Sequence, residues 1–271
     1  MMAIDKLLTK NRERKFICVG LDSDIDKIPA NLKSSSNPIL DFNQAIISFT
    51  KSAVAAYKIN FAFYEKDGEK GLRVLSETVE SIPRDILIIA DAKRGDIGNT
   101  SLMYAKSVFD HYNFDAVTLN PLMGRDSLEP FLDYKDKLNF ILTLTSNKGA
   151  ADFEKLKLDN GKFLYQQIIE KIVDWNSNNN CGLVFGATNT NELVENINSF
   201  DSLPVLLPGV GAQGASVEDV IAAFKSAGRS NFLINVSRGI IYSSEEEDFA
   251  EKAAEELLNY NKKIDSILKE A

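Results

Sequence analysis

Residues 86–96 read Ile86-Leu87-Ile88-Ile89-Ala90-Asp91-Ala92-Lys93-Arg94-Gly95-Asp96, and the change of character at Asp91 decides the fold. The apolar run before it has the unbroken hydrophobicity of a strand buried on both faces, as in a parallel sheet. Side chains alternate along a strand, so Asp91 and Lys93 are expected to leave its C-terminal end on one side. Asp96 follows in the loop. Charges of alternating sign at the end of a buried strand are costly unless they pair or serve a site. Taken alone, the pattern favours a salt-bridged strand exit over a functional one.

Outward from this stretch, the same design recurs. Short apolar runs at residues 16–21, 55–59, 86–90, 116–119, 140–144, 183–186, 205–207 and 232–236 predict eight strands. Helical patterns lie between them at 39–52, 71–81, 101–111, 124–134, 162–175, 190–198 and 216–227, with a last amphipathic stretch at 246–268. Polar loops such as Ser34–Pro38 and Asn176–Asn180 are too short to separate domains. Alternating strands and helices imply a parallel sheet. Eight such units in 271 residues suit a single (β/α)8 barrel over 1–271 better than an open doubly wound sheet.

A barrel places its active site at the C-terminal ends of the strands. Read in order, those ends give Asp22, Lys58, Asp91 with Lys93, Asn120, Thr145 with Ser146, Thr188, Gln213 and Arg238. The opposite ends (Lys15, Arg84-Asp85, Asn113, Asn139) show the scattered polarity of a solvated surface. That asymmetry points to a functional rim.

Residues 208–214, Pro208-Gly209-Val210-Gly211-Ala212-Gln213-Gly214, contain a G-x-G-x-x-G match between a strand and a helix. A dinucleotide site would need it in the first βα unit, with an acidic residue ending the next strand. Here it is in the seventh unit, and the next strand ends in Ser237-Arg238-Gly239. Barrels often bind phosphate with the loops after strands seven and eight. Gln213 can donate a hydrogen bond there, and Arg238 can form a bidentate charged pair. A phosphorylated substrate is the expectation.

Bulk properties narrow the partners. The net charge of −8 argues against nucleic acid and anionic membrane, although a local positive pocket remains compatible with a small anion. Cys18 and Cys181 sit in apolar strand-like runs and read as buried thiols of a reducing compartment. His111 is the only histidine, which leaves no basis for a His-based metal site or a Ser-His-Asp triad. Met1–Arg14 has no apolar leader segment, and no run reaches membrane-spanning length, so a cytoplasmic protein is expected.

Taken in order, these segments resemble the orotidine 5′-phosphate decarboxylase family, in its longer, divergent bacterial subgroup. The resemblance runs from Phe16-Ile17-Cys18-Val19-Gly20-Leu21-Asp22 to Asn235-Val236-Ser237-Arg238-Gly239-Ile240. Lys58-Ile59-Asn60-Phe61-Ala62-Phe63-Tyr64-Glu65 matches the subgroup's K-P-N-x-A-F-F-E segment with Ile59 in place of proline. Asp91 to Thr100 carries D-x-K-x-x-D-I-x-x-T without a break. D-x-K-x-x-D alone is shared with 3-keto-gulonate-phosphate decarboxylases; the ordered set of segments is specific.

The resemblance implies cofactor-independent decarboxylation of orotidine 5′-phosphate to UMP by a homodimer with shared sites, the last step of UMP biosynthesis. It implies that Lys58, Asp91 and Lys93 line the reacting centre, with Asp96 and Thr100 reaching across from the partner subunit. Asp22 would contact the ribose, Ser146 the pyrimidine edge, and Gln213 with Arg238 the 5′-phosphate. The Ile59 and Leu122 departures fall at packing positions. The alternatives are a Mg²⁺-dependent sugar-phosphate decarboxylase of the same barrel group and a non-catalytic pyrimidine-nucleotide-binding barrel.

Overall fold

The chain opens with a helix that closes the floor of a barrel. The computed structural model describes residues 1–210 and 214–269. In order, the first half comprises α1 (Ala3–Arg12), β1 (Ile17–Gly20), α2 (Pro38–Thr50), β2 (Ala56–Asn60), α3 (Ala62–Glu65), α4 (Gly68–Glu80), β3 (Leu87–Arg94), α5 (Gly98–Lys106) and β4 (Ala116–Leu119). The second half comprises α6 (Glu129–Leu132), β5 (Leu138–Leu144), α7 (Leu164–Trp175), β6 (Cys181–Phe185), α8 (Thr190–Asn196), β7 (Val205–Pro208), α9 (Val217–Ser226), β8 (Phe232–Val236), α10 (Arg238–Ile241) and α11 (Phe249–Lys269). All eight strands pair in parallel with their sequence neighbours, and β8 closes on β1. The (β/α)8 barrel expected from the alternation is therefore the fold.

Two apolar clusters follow from the period of two along each strand. Outward residues such as Val19, Ile59, Ile88, Val117 and Ile234 pack under the helices. Inward residues Cys18, Ala56, Leu87, Ile89, Ala116, Phe140, Val184, Leu206 and Leu233 fill the lower barrel, where Ala3 and Leu7 of α1 plug it. One further step of two along each strand brings Gly20 and Asp22, Lys58, Asp91, Thr118 and Asn235 to the inner face. The lower barrel is thus apolar, and its upper layer polar. No described helix is long and apolar enough to cross a membrane.

Several details depart from the expected pattern. The helical patterns begin at residue 39 and assign no helix to the region of α1, whose buried face carries Lys6, Lys10 and Asn11. Those polar groups are what pin it. Lys6 Nζ lies 2.7 Å from Asp115 Oδ1, Lys10 Nζ lies 2.8 Å from Asp85 Oδ2, and Asn11 Nδ2 donates to the Phe232 carbonyl. The N-terminal face is therefore more than a solvated surface. Asn139 on it is fully buried. The segment expected as one helix at 101–111 is α5 followed by a π-helical turn, Ser107–His111. Only α6 and a short 3₁₀ turn form within 124–134, where Pro130 interrupts the backbone donors. Cys18 and Cys181 are free and buried, as expected, and burial pushes each thiol up to about 12.

The plug gives a stability prediction. Asp115 also accepts the Ile88 backbone N–H, so Lys6→Met leaves its carboxylate held but unneutralised. Urea unfolding should then show a loss of about 3 kcal/mol, the scale for a mostly buried pair deprived of one partner. A loss below about 1 kcal/mol would place Lys6–Asp115 among solvent-screened contacts instead.

Candidate active site

The polar upper layer forms a row of alternating charge. Asp22 Oδ1 lies 3.5 Å from Lys58 Nζ, which lies 2.9 Å from Asp91 Oδ2; Asp91 Oδ1 in turn lies 2.5 Å from Lys93 Nζ. Lys58 is only 4% exposed, so burial works against its charge. Asp91 and Asp22 outweigh that penalty and raise its pKa above the ordinary lysine value. Burial would likewise raise the Asp91 pKa, but the ammonium groups of Lys58 and Lys93 dominate and hold its carboxyl well below the usual range. Lys93, with half its side chain exposed, ends the row toward the mouth.

Lys93 does not reach that place by simple alternation. Pairing between β3 and β4 runs Ala90↔Val117 and then jumps to Arg94↔Leu119. Asp91, Ala92 and Lys93 therefore stand opposite the single residue Thr118. The bulge turns Lys93 into the left-handed region, with φ of 48°. That conformation costs a non-glycine residue about 1–3 kcal/mol and is typical of functional sites. Asp91 and Lys93 do lie on one side, as expected, but through this bulge rather than through plain alternation.

A cavity of about 240 Å³ opens beside the row, lined by Asp22, Lys58, Asp91, Asn235, Ser237 and Arg238 among others. Ser237 Oγ donates to Asp22 Oδ2 at 2.8 Å and packs against β1 where Gly20 has no side chain; a Cβ there would lie 1.9 Å from that hydroxyl. Asp22 Oδ1 accepts no hydrogen bond from the described residues. The Tyr242 hydroxyl donates to the Asp22 carbonyl and accepts from Asp24 N–H, joining the loops after β8 and β1. Arg238, at the start of α10, is exposed and lines the same cavity. Residues Pro208–Val210 also contribute to the lining.

The structure gathers Asp22, Lys58, Asp91 and Arg238 around one cavity, with Lys93 joined through Asp91. Ser146 follows β5, half-buried, in a backbone clamped by its neighbours. Glu154 accepts from both Thr145 N and Thr145 Oγ1, and a Cβ on Gly186 would fall 2.7 Å from Ser146 N. Asp96 makes no ion pair among the described residues, and its Oδ1 instead accepts the N–H of Ile97. Thr100 is exposed in the first turn of α5. Neither lines the cavity. Gln213 lies outside the described residues. Thr118, Ser237 and Tyr242 are polar partners that motif reading passes over, because single hydroxyls within apolar runs carry no pattern.

A closed parallel barrel with carboxylates and ammonium groups alternating at its C-terminal mouth defines a barrel protein built around a small charged ligand. The model of the "Orotidine 5′-phosphate decarboxylase / HUMPS family" matches residues 15–253, and the chain belongs to that family. It is 48% identical over 241 residues to an orotidine 5′-phosphate decarboxylase of Herpetosiphon aurantiacus, covering 89% of each chain. It is 44% identical over 260 residues to that of Flavobacterium johnsoniae, covering 95% of this chain and 94% of the relative. The solved OMP decarboxylase of Leishmania donovani superposes with a TM-score of 0.81 at 35% identity, over 96% of this chain and 99% of that one.

Proposed function

We propose that this chain removes CO₂ from C6 of orotidine 5′-phosphate to give UMP, the final step of UMP biosynthesis. The observation that carries the reading is the Asp22–Lys58–Asp91–Lys93 row at the barrel mouth, in a chain of this family. Neither a magnesium-dependent sugar-phosphate decarboxylase nor a silent nucleotide binder is supported by the relatives, which carry the decarboxylase name.

Breaking the C6–carboxylate bond leaves its electron pair on C6, where no adjacent carbonyl delocalises it. Stabilisation then has to come from groups already oriented toward that carbon. Lys93, half exposed at the cavity mouth and directed by Asp91, supplies the nearby positive charge and delivers a proton to C6. CO₂ departs, and solvent returns the proton to the amine. Lys58, paired with Asp91, belongs to the reacting centre; Asp22, whose Oδ1 accepts no hydrogen bond from the described residues, suits the ribose hydroxyls, and Ser146 suits the pyrimidine edge. Arg238 suits the phosphate, whose binding energy, remote from C6, is available to order the site.

The site is completed in a homodimer. Asp96 makes no ion pair among the described residues, and the segments that follow it expose large apolar side chains: Ile97 is 66% and Leu122 70% exposed, with Met103, Tyr104 and Met123 also outward. Exposed large apolar side chains on the segments around Asp96 favour a protein contact there. Asp96 and Thr100 of each subunit then serve the neighbouring barrel. A cytoplasmic location accords with a biosynthetic enzyme acting on a nucleotide.

Substrate labelled in the carboxyl group should lose one label as CO₂ for each UMP formed. Retention of label, with release from a keto-sugar phosphate instead, would contradict the reading. Arg238→Ala should lower kcat/KM about 30- to 300-fold, as expected for losing a charge-assisted pair. It should hardly affect a truncated substrate lacking the phosphate. Equal losses on both substrates would assign Arg238 to the fold.

A further inference from the structure

Thr118 lies on β4 directly opposite the bulge that carries Asp91, Ala92 and Lys93, and it is 2% exposed. Its hydroxyl accepts from Ala92 N at 3.1 Å and from Lys93 N at 3.0 Å, and donates to Asp91 Oδ1 at 3.0 Å. One donor and two acceptor sites are the whole capacity of a hydroxyl, and all three serve the bulge. Ladder pairing resumes immediately beyond it, where Asn120 N donates to the Arg94 carbonyl. The Arg94 side chain is separately held by Glu65 and lies over the rings of Phe61 and Tyr104.

We propose that Thr118 is the positioning residue of the reacting centre. Its hydroxyl fixes the left-handed backbone of Lys93 and the Asp91 oxygen that directs the Lys93 ammonium. Two partly buried amide donors would otherwise lose their partner at the bulge, and the strand could relax toward a regular ladder. Relaxation would swing Lys93 away from Asp91 while leaving Asp22, Lys58 and Arg238 in place. The hydroxyl therefore governs the chemical step more than nucleotide binding. This inference rests on the decarboxylase reading of the same site.

The test compares Thr118→Val, Thr118→Ala and Thr118→Ser with the unaltered protein, measuring kcat and KM for orotidine 5′-phosphate and Kd for UMP. Valine keeps the shape and removes the hydroxyl; serine restores the hydroxyl alone. Valine and alanine variants should each lose about 100-fold in kcat, the scale of a small misplacement at a reacting centre. Their UMP affinity should stay within about threefold, since the binding groups are untouched. Serine should remain within about fivefold of the parent kcat, as its hydroxyl can make the same three bonds. Should valine fail to fold, the alanine–serine comparison decides. Equal kcat for alanine and serine would overturn the proposal, as would a loss confined to KM. Failure of the unaltered protein to decarboxylate would instead refute the underlying reading.

Discussion

Lys93→Ala should lower kcat by about 10³- to 10⁵-fold, because it removes both the proton donor and the positive charge nearest the developing carbanion. UMP binding should persist. Asp22, Lys58 and Arg238 line the cavity independently of Lys93, and Lys58 continues to neutralise Asp91 at 2.9 Å. The variant should also fold. Lys93 is half exposed and occupies a left-handed backbone position, so alanine removes no core packing there. The measurement is a pair: single-turnover decarboxylation, and UMP titration by calorimetry. More than about a tenth of the parent rate would rule out proton donation by Lys93. Equal losses of rate and affinity would make Lys93 a binding group.

Mixing two inactive variants, Asp96→Ala and Lys93→Ala, should restore activity if Asp96 serves the neighbouring subunit. In a mixed dimer one site collects both defects, while the other receives an intact Lys93 and an intact Asp96. With free exchange, half the dimers are mixed and half their sites are whole, so recovery should approach roughly a quarter of parent activity in a two-fold arrangement. The structural motive is that Asp96 has no ion pair among the described residues and that the surface beside it exposes Ile97 and Leu122. Exchange is verified by mass spectrometry of tagged chains. Verified exchange without recovery would assign Asp96 to its own barrel.

Much of this architecture is legible because burial imposes pattern. β3 must be apolar where it is enclosed, so the change from Ala90 to Asp91 marks the barrel rim without any knowledge of its neighbours. The same logic exposes Lys58 and Asp22. It fails where polarity is buried and paired. α1 is hidden because Lys6 and Lys10 occupy the face that packs on the barrel, and their partners Asp115 and Asp85 are distant in sequence. The bulge is hidden for a related reason. A period-two reading assigns Asp91 and Lys93 to one face, whereas a register shift held by Thr118 is a property of two strands together. Motif spacing brings Asp96 close to Lys93 in sequence, but the loop directs its carboxylate to the Ile97 N–H.

On the proposed reading, this barrel decarboxylates orotidine 5′-phosphate with its own side chains. The direct measurement adds purified protein to orotidine 5′-phosphate in D₂O with EDTA present, following the pyrimidine absorbance and analysing the product by NMR. Absorbance should decay at a rate unaffected by the chelator, and the UMP formed should carry a single deuterium at C6. Unchanged absorbance, or decay that needs added Mg²⁺, would contradict the account.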